Sequence, residues 1–293
     1  MANENDNLHG AGLMVCSMFL YTFNDACLKA VGETLPIFQS IFLRSILVAL
    51  IFLGLFFSTK SYKVKLNFSD FKLLSLRALA EVTSTFFFIS ALFKMPIANV
   101  VSIVQILPLT VSLAAVIFLR ERIGWRRILA IFAGFIGVLL IVRPGASDFN
   151  YYSAYALLAV IFVTMREIVT RRLSKDVPSF FVATTTAVTV FIFSGLGSLT
   201  VNWVKVSVSD CLNLVAASTF LAGGYLFSVL AIRKGEIAFV APFRYTSLLV
   251  ALLLGFFIFG EWPDNVTFVG AIIIFSAGMF SFYREKKIAN SNS

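Results

Sequence analysis

Apolar stretches long enough to cross a bilayer recur along this chain, separated by short polar runs. They predict helices over 9–30, 36–57, 72–93, 97–119, 125–143, 151–172, 179–201, 211–232, 237–259 and 265–283. The separators are turn-rich or charged: Gly32-Glu33-Thr34-Leu35-Pro36, Lys60 to Asp70, Arg120 to Arg127, Arg143-Pro144-Gly145 and Arg171 to Pro178. Later come Asn202 to Asp210, Arg233 to Glu236 and Gly260 to Asp264. The pattern predicts an all-α membrane protein of ten transmembrane helices.

Charge then orients those helices. With the N-terminus in the cytoplasm, 18 of the 24 Lys and Arg residues fall in or beside inner loops and 4 on the outer side. The remaining two, Arg44 and Arg244, lie inside helices. That asymmetry predicts both termini in the cytoplasm and a multi-pass protein of the cell inner membrane. Trp125, Trp203 and Trp262 stand at helix ends, as an interfacial aromatic belt requires. Glu4 and Asp6 precede the first apolar segment with no Lys or Arg among them, so that segment is expected to be retained rather than cleaved.

Composition narrows the function classes. The chain is 59% hydrophobic and 13% charged, about half the charged fraction of a soluble domain. Its net charge of +9 is therefore a loop property and not a nucleic-acid footprint. Cys16, Cys27 and Cys211 lie in or beside apolar segments without metal spacing and read as packing residues. With His9 the single histidine, no metal or other cofactor is expected. The absence of a Walker A motif excludes ATP hydrolysis by this chain.

Sliding the chain on itself reveals a repeat. Asn24-Asp25, Lys29 and Pro36-Ile37-Phe38 align on Arg166-Glu167, Arg171 and Pro178-Ser179-Phe180 at an offset of 142. Ala91, Lys94, Ile97-Ala98, Val100 and Glu121 align on Ala231, Lys234, Ile237-Ala238, Val240 and Glu261 at an offset of 140. The expected organisation is a first five-helix repeat at 9–143, a second at 151–283 and a cytoplasmic tail at 284–293. Five is odd, so the second repeat runs through the membrane inverted, as in alternating-access carriers.

Polar groups inside helices are the candidate chemistry, because each is costly in lipid unless paired or functional. Counting outward from the first helical turn places Asp25 and Arg44 within about 3 Å in depth, close enough to pair as a structural or gating contact. The same count makes Thr85 level with Gln105, and Tyr225 level with Arg244; 85 and 225, and 105 and 245, are repeat equivalents. Arg244 stands between Phe243 and Tyr245, directly after Pro242, which marks a helix break. An arginine with aromatics suits a carboxylate, a phosphate or an electron-rich ring; the bland alternative is an arginine snorkelling to the inner surface. Phe38 is a further candidate, through its closeness to Arg44.

Glu81 either pairs locally with Arg77 one turn away or faces the cavity as a protonatable carboxylate. Glu167, beside Arg166, reads as a local or gating pair, and Glu121 and Glu261 read as interfacial anchors. Ala130-x-x-x-Gly134, and Gly270 with Gly278, mark the fifth and tenth helices as closely packed scaffold.

These halves, with Glu121 and Glu261 closing the fourth and ninth helices, resemble the EamA type of the drug/metabolite transporter superfamily. Asn24-Asp25, Phe42-Leu43-Arg44, Ala241-Pro242-Phe243-Arg244-Tyr245 and Phe259-Gly260-Glu261-Trp262-Pro263-Asp264 resemble a proteobacterial branch of riboflavin and S-adenosylmethionine uptake transporters. The resemblance implies that helices one to four and six to nine line a central cavity while five and ten stand apart. It implies a secondary carrier taking up a riboflavin-like or S-adenosylmethionine-like solute by proton coupling or exchange. The alternatives are an exporter of amino acids or related metabolites and, more remotely, a membrane enzyme, for which the chain has no nucleophile–base or metal constellation. The partners expected are a small-molecule substrate and lipid, with the chain acting as monomer or homodimer.

Overall fold

The computed structural model describes residues 4–64, 66–120, 124–144, 150–174, 176–235 and 237–291. Glu121, Gly145 and Glu236, which the sequence singles out, lie outside them. Among the described residues the fold is all-helical, without a strand. In chain order the first helices are α1 (Glu4–Val31), α2 (Ile37–Ser58), α3 (Phe68–Lys94), α4 (Ile97–Val104), α5 (Leu107–Leu119) and α6 (Trp125–Val142). They are followed by α7 (Tyr152–Arg172), α8 (Ser179–Ser198), α9 (Val208–Lys234), α10 (Ile237–Val240), α11 (Thr246–Phe259) and α12 (Asn265–Ser291). Among the described residues, eight helical segments are long and apolar enough to cross a membrane; shorter apolar helices occupy Ile128–Val142 and Asn265–Ser281. The chain is a multi-pass membrane protein.

Local chemistry explains the boundaries. Pro36, Pro96 and Pro178 sit at the starts of α2, α4 and α8, where a missing N–H leaves no ladder bond unmade. The Asn67 side chain caps α3 by accepting the Asp70 N–H at 2.7 Å. Ser207 and Asp210 form a reciprocal capping box at the start of α9.

Two helices expected to be continuous, over 97–119 and 237–259, are each interrupted near the middle. The first breaks at Gln105 and Ile106, where Ile106 N–H turns back to the Ile103 carbonyl at 3.2 Å. Pro108 is the cause: it has no N–H to offer Val104, and its ring crowds that carbonyl. The second passes through a 3₁₀ turn over Ala241–Tyr245 that begins with Ala241-Pro242.

The helices pack in pairs, α1 on α9, α3 on α7, α2 on α8 and α6 on α12. The last pair meets at Gly137 and Gly270, where a Cβ on either would lie within 2.8 Å of the other's carbonyl oxygen. The expected small-residue contacts are thus shifted: Gly134 makes room for the Leu109 side chain and Gly278 for Tyr245. Arg143, ending α6, also pairs with Asp264 at the start of α12. Burial pushes the Asp264 carboxyl up, but the Thr267 N–H and Arg143 outweigh it and hold the group below its ordinary value.

Candidate functional site

A cavity of about 540 Å³ opens between α1, α2, α3, the α4–α5 break, α7, α8, α9 and the start of α11, and no residue lining it comes from α6 or α12. Its volume lies in the range of pockets that enclose most of a small organic molecule. Four arginines (Arg44, Arg77, Arg166 and Arg244) and three carboxylates (Asp25, Glu81 and Glu167) line it, an excess of one positive charge. Ionisable side chains within membrane-spanning helices are candidates for function by default.

The two helix breaks meet in this cavity. A break frees backbone carbonyls, and in a membrane each needs a partner. The Arg244 carbonyl receives Gln105 Nε2 at 3.2 Å and Ser247 Oγ at 3.0 Å. The Arg244 side chain is exposed into the cavity.

On the far wall Arg166 bridges two carboxylates, with Nη1 2.7 Å from Glu81 Oε2 and Nη2 2.7 Å from Glu167 Oε1. Glu81 thus finds its partner on α7, not one turn away on α3. Arg77 instead donates from Nε to Thr170 Oγ1 at 2.9 Å and from Nη1 to Thr186 Oγ1. An i,i+4 pair costs less to form in isolation, but the α3–α7 packing supplies a charge-assisted bond from across the bundle.

Asp25 and Arg44 also face the cavity, but no direct ion pair joins them. Asn24 stands between: its Nδ2 donates to Asp25 Oδ1 at 2.9 Å, and its Oδ1 accepts from Arg44 Nη1 at 3.4 Å. Residue counting fixes axial position, not the direction in which a side chain leaves its helix. Arg44 is only 8% exposed, and its Nε has no hydrogen-bond partner.

Thr85 and Tyr225 line the cavity as the depth count requires. The Tyr225 hydroxyl donates to the Ser179 carbonyl at 3.3 Å, and Phe52 meets its ring edge-on at 5.2 Å. Tyr245 is lining too, but its ring packs on Phe275 of α12, with its hydroxyl over Gly278. Its role there is to seat the scaffold. Two candidates lie away from the cavity. Phe243 packs with Phe239 at 6.0 Å, and Phe38 stacks on Phe86 at 5.5 Å and fills the space left by Gly197. Both face the neighbouring helix because rotation about a helix axis, unlike depth, is not fixed by residue counting. Tyr21, Asn24, Arg77 and Arg166 line the site without having been singled out as binding residues.

Three polar contacts clamp the ends of the bundle. Glu261 bonds Lys29 Nζ at 3.0 Å and accepts the Ile97 N–H at 3.0 Å, capping α4 from across the bundle. Lys29 also donates to the Met95 carbonyl. Beside it the Thr34 hydroxyl, in the α1–α2 turn, donates to Asp210 Oδ1 at 2.7 Å. At the opposite end the Ser174 N–H, in the α7–α8 turn, donates to Asp70 Oδ1 at 3.0 Å.

The sequence profile of the EamA-like transporter family matches residues 8–143 and again 151–283. The chain belongs to the EamA-like transporter family. Membership makes it a transporter and not an enzyme. This EamA chain is 27% identical over 292 residues to the S-adenosylmethionine uptake transporter of Rickettsia bellii (strain RML369-C), covering 95% of this chain and 94% of that protein. It is 26% identical over 222 residues to a riboflavin transporter of Brucella anthropi, covering 73% and 78%. It is 24% identical over 288 residues to the pseudopaline exporter CntI of Pseudomonas aeruginosa (strain UCBPP-PA14), covering 95% and 97%. A solved crystal structure of 15% identity superposes with a TM-score of 0.68 over 95% of this chain and 98% of its own, a likeness of fold.

Proposed function

We propose that this chain is a secondary carrier that takes up a small organic metabolite through the central cavity, between two inverted five-helix halves at 9–143 and 151–283. The observation that carries the reading is the meeting of two interrupted helices at the cavity, joined by the Gln105 bond to the Arg244 carbonyl. Facing half-helices with freed backbone groups at membrane depth are how carriers build a midplane site. Gln105 in the first break and Tyr245 in the second are 140 residues apart, the offset of the sequence repeat.

Other features support the same symmetry. Asn67 and Asp70, which open α3, are offset by 140 from Ser207 and Asp210, which open α9. Arg120 and Gly260, again 140 apart, close α5 and α11 in the left-handed conformation. Each capping aspartate accepts a hydrogen bond from the first turn of the other half, Thr34 to Asp210 and Ser174 to Asp70. Inversion sends these equivalent contacts to opposite faces. The short helices at Ile128–Val142 and Asn265–Ser281 complete ten spans.

In this reading Arg244 and Tyr225, with Thr85 and Gln105, contact the solute, and the Glu81–Arg166–Glu167 triad couples its passage to a proton or to exchange. The transporter works in the inner membrane with both termini, including the tail at 284–293, in the cytoplasm. The cavity is built from one chain, so a monomer suffices. Alkaline phosphatase fused after Thr200 is expected to be active, and a fusion after Lys63 inactive; the reverse pattern would refute this orientation.

Arg244 tests the pocket. Lysine keeps the charge but loses the planar face and the fork of donors. Binding of S-adenosylmethionine or riboflavin to purified protein is expected to weaken about tenfold in Arg244→Lys and more in Arg244→Ala. Tyr245→Phe should leave binding near wild type, because its ring lies against α12. Wild-type affinity in Arg244→Ala would remove the pocket from the account. Export is the second reading, favoured by the likeness to the pseudopaline exporter over nearly the whole chain.

A further inference from the structure

Within the cavity one group of side chains is held in an incomplete arrangement. Arg44 is nine-tenths buried, yet its Nε has no partner and its single side-chain bond, to Asn24 Oδ1, is 3.4 Å long. Guanidinium N–H bonds to oxygen are normally 2.7–3.2 Å. A buried arginine ordinarily saturates its fork, since each unmet donor is costly. Asp25, the adjacent carboxylate, receives a side-chain bond from Asn24 Nδ2 at 2.9 Å and faces the same cavity. The Asn24 amide thus keeps a cation and an anion apart within reach of one ligand.

We propose that Asn24, Asp25 and Arg44 form a subsite for the zwitterionic head of an α-amino acid. The solute carboxylate accepts from Arg44 Nη1 and Nη2 in the end-on two-bond geometry that suits a guanidinium, displacing the long Asn24 contact. The solute ammonium donates to Asp25, and the freed Asn24 Oδ1 takes another of its protons. Neither charge of the ligand is then left unpaired in the low-dielectric interior, and the terminal nitrogens of Arg44 gain charged acceptors in place of one long amide contact. The rest of such a solute extends toward Tyr21, Tyr225 and Arg244, which offer rings and a planar cation for stacking. The assignment rests on the central cavity being the carrier's binding site and specifies the solute class: molecules with an α-amino acid head, in preference to flavins.

The test uses the whole purified protein in detergent and reads ligand-induced thermal stabilisation against concentration. S-adenosylmethionine and S-adenosylhomocysteine carry the zwitterionic head; 5′-methylthioadenosine keeps the nucleoside and sulfur but lacks it. The headed pair is expected to act at concentrations about tenfold to a hundredfold lower than 5′-methylthioadenosine. Asp25→Asn and Arg44→Gln should each abolish that preference. The comparison on unaltered protein stands even where a variant fails to fold. Equal affinity for headed and headless ligands would overturn the subsite, as would retention of the preference in a folded Asp25→Asn protein. Stabilisation by riboflavin alone would also overturn it, while leaving the cavity as a metabolite site. Binding of every solute unchanged in Thr85→Trp and Arg244→Ala would instead remove the cavity, and the subsite with it.

Discussion

Glutamine in place of Arg166 is expected to cut transport to background and to reduce the folded, monodisperse fraction sharply. Arg166 is the common partner of Glu81 and Glu167, each at 2.7 Å. Losing it leaves two carboxylates facing one another across α3 and α7. Removing one partner from a fully buried ion pair costs about 3–5 kcal/mol; these side chains keep 17–44% of their surface exposed, so a smaller but still marked loss of stability is expected. Arg77 cannot step in without giving up Thr170 and Thr186. The double variant Arg166→Gln/Glu81→Gln removes one of the stranded charges, so its thermal stability should exceed the additive expectation of the two single changes. Its transport should stay low, since the coupling carboxylate is gone. Exchange and unfolding temperature, measured on the same preparations, separate the two effects. Wild-type exchange in folded Arg166→Gln would place the triad outside the transport cycle.

What the sequence made legible is mostly depth, and what it hid is mostly direction. Thr85, Gln105, Tyr225 and Arg244 come together in the cavity because antiparallel helices joined by short turns are in fixed axial register. Asp25 and Arg44 both line the cavity yet are joined through Asn24 and not by a direct pair, because residue counting fixes axial position and not rotation about the helix axis. Phe38 and Phe243 failed as lining residues for the same reason. Glu81 shows a second limit. Its nearest arginine in sequence is Arg77, but packing of α3 on α7 brings Arg166 from 85 positions away. No periodicity on α3 carries that information. Pro108 could have signalled the interruption near Gln105, as Pro242 did for its repeat counterpart; the uninterrupted apolar run around it masked the break.

The end contacts were also only half visible. Glu261 read as an anchor at the close of its helix, yet its work is to cap α4 and hold Lys29, two elements far away in sequence. Asn67 and Asp70 look like any helix start. Their counterpart at Ser207 and Asp210 becomes meaningful only once both aspartates are seen to accept bonds from the opposite turn.

Filling the cavity tests the central claim most directly. Thr85 lies in its lining, so an indole there occupies solute space without removing a charge or a helix cap. Proteoliposomes preloaded with unlabelled S-adenosylmethionine and given the labelled compound outside should show saturable counterflow with wild-type protein. Thr85→Ser should retain it. Thr85→Trp, inserted and monodisperse, should lose it by about a hundredfold, because a packed interior does not deform to readmit the displaced volume. Wild-type counterflow through Thr85→Trp would show that the solute crosses elsewhere and would contradict the account.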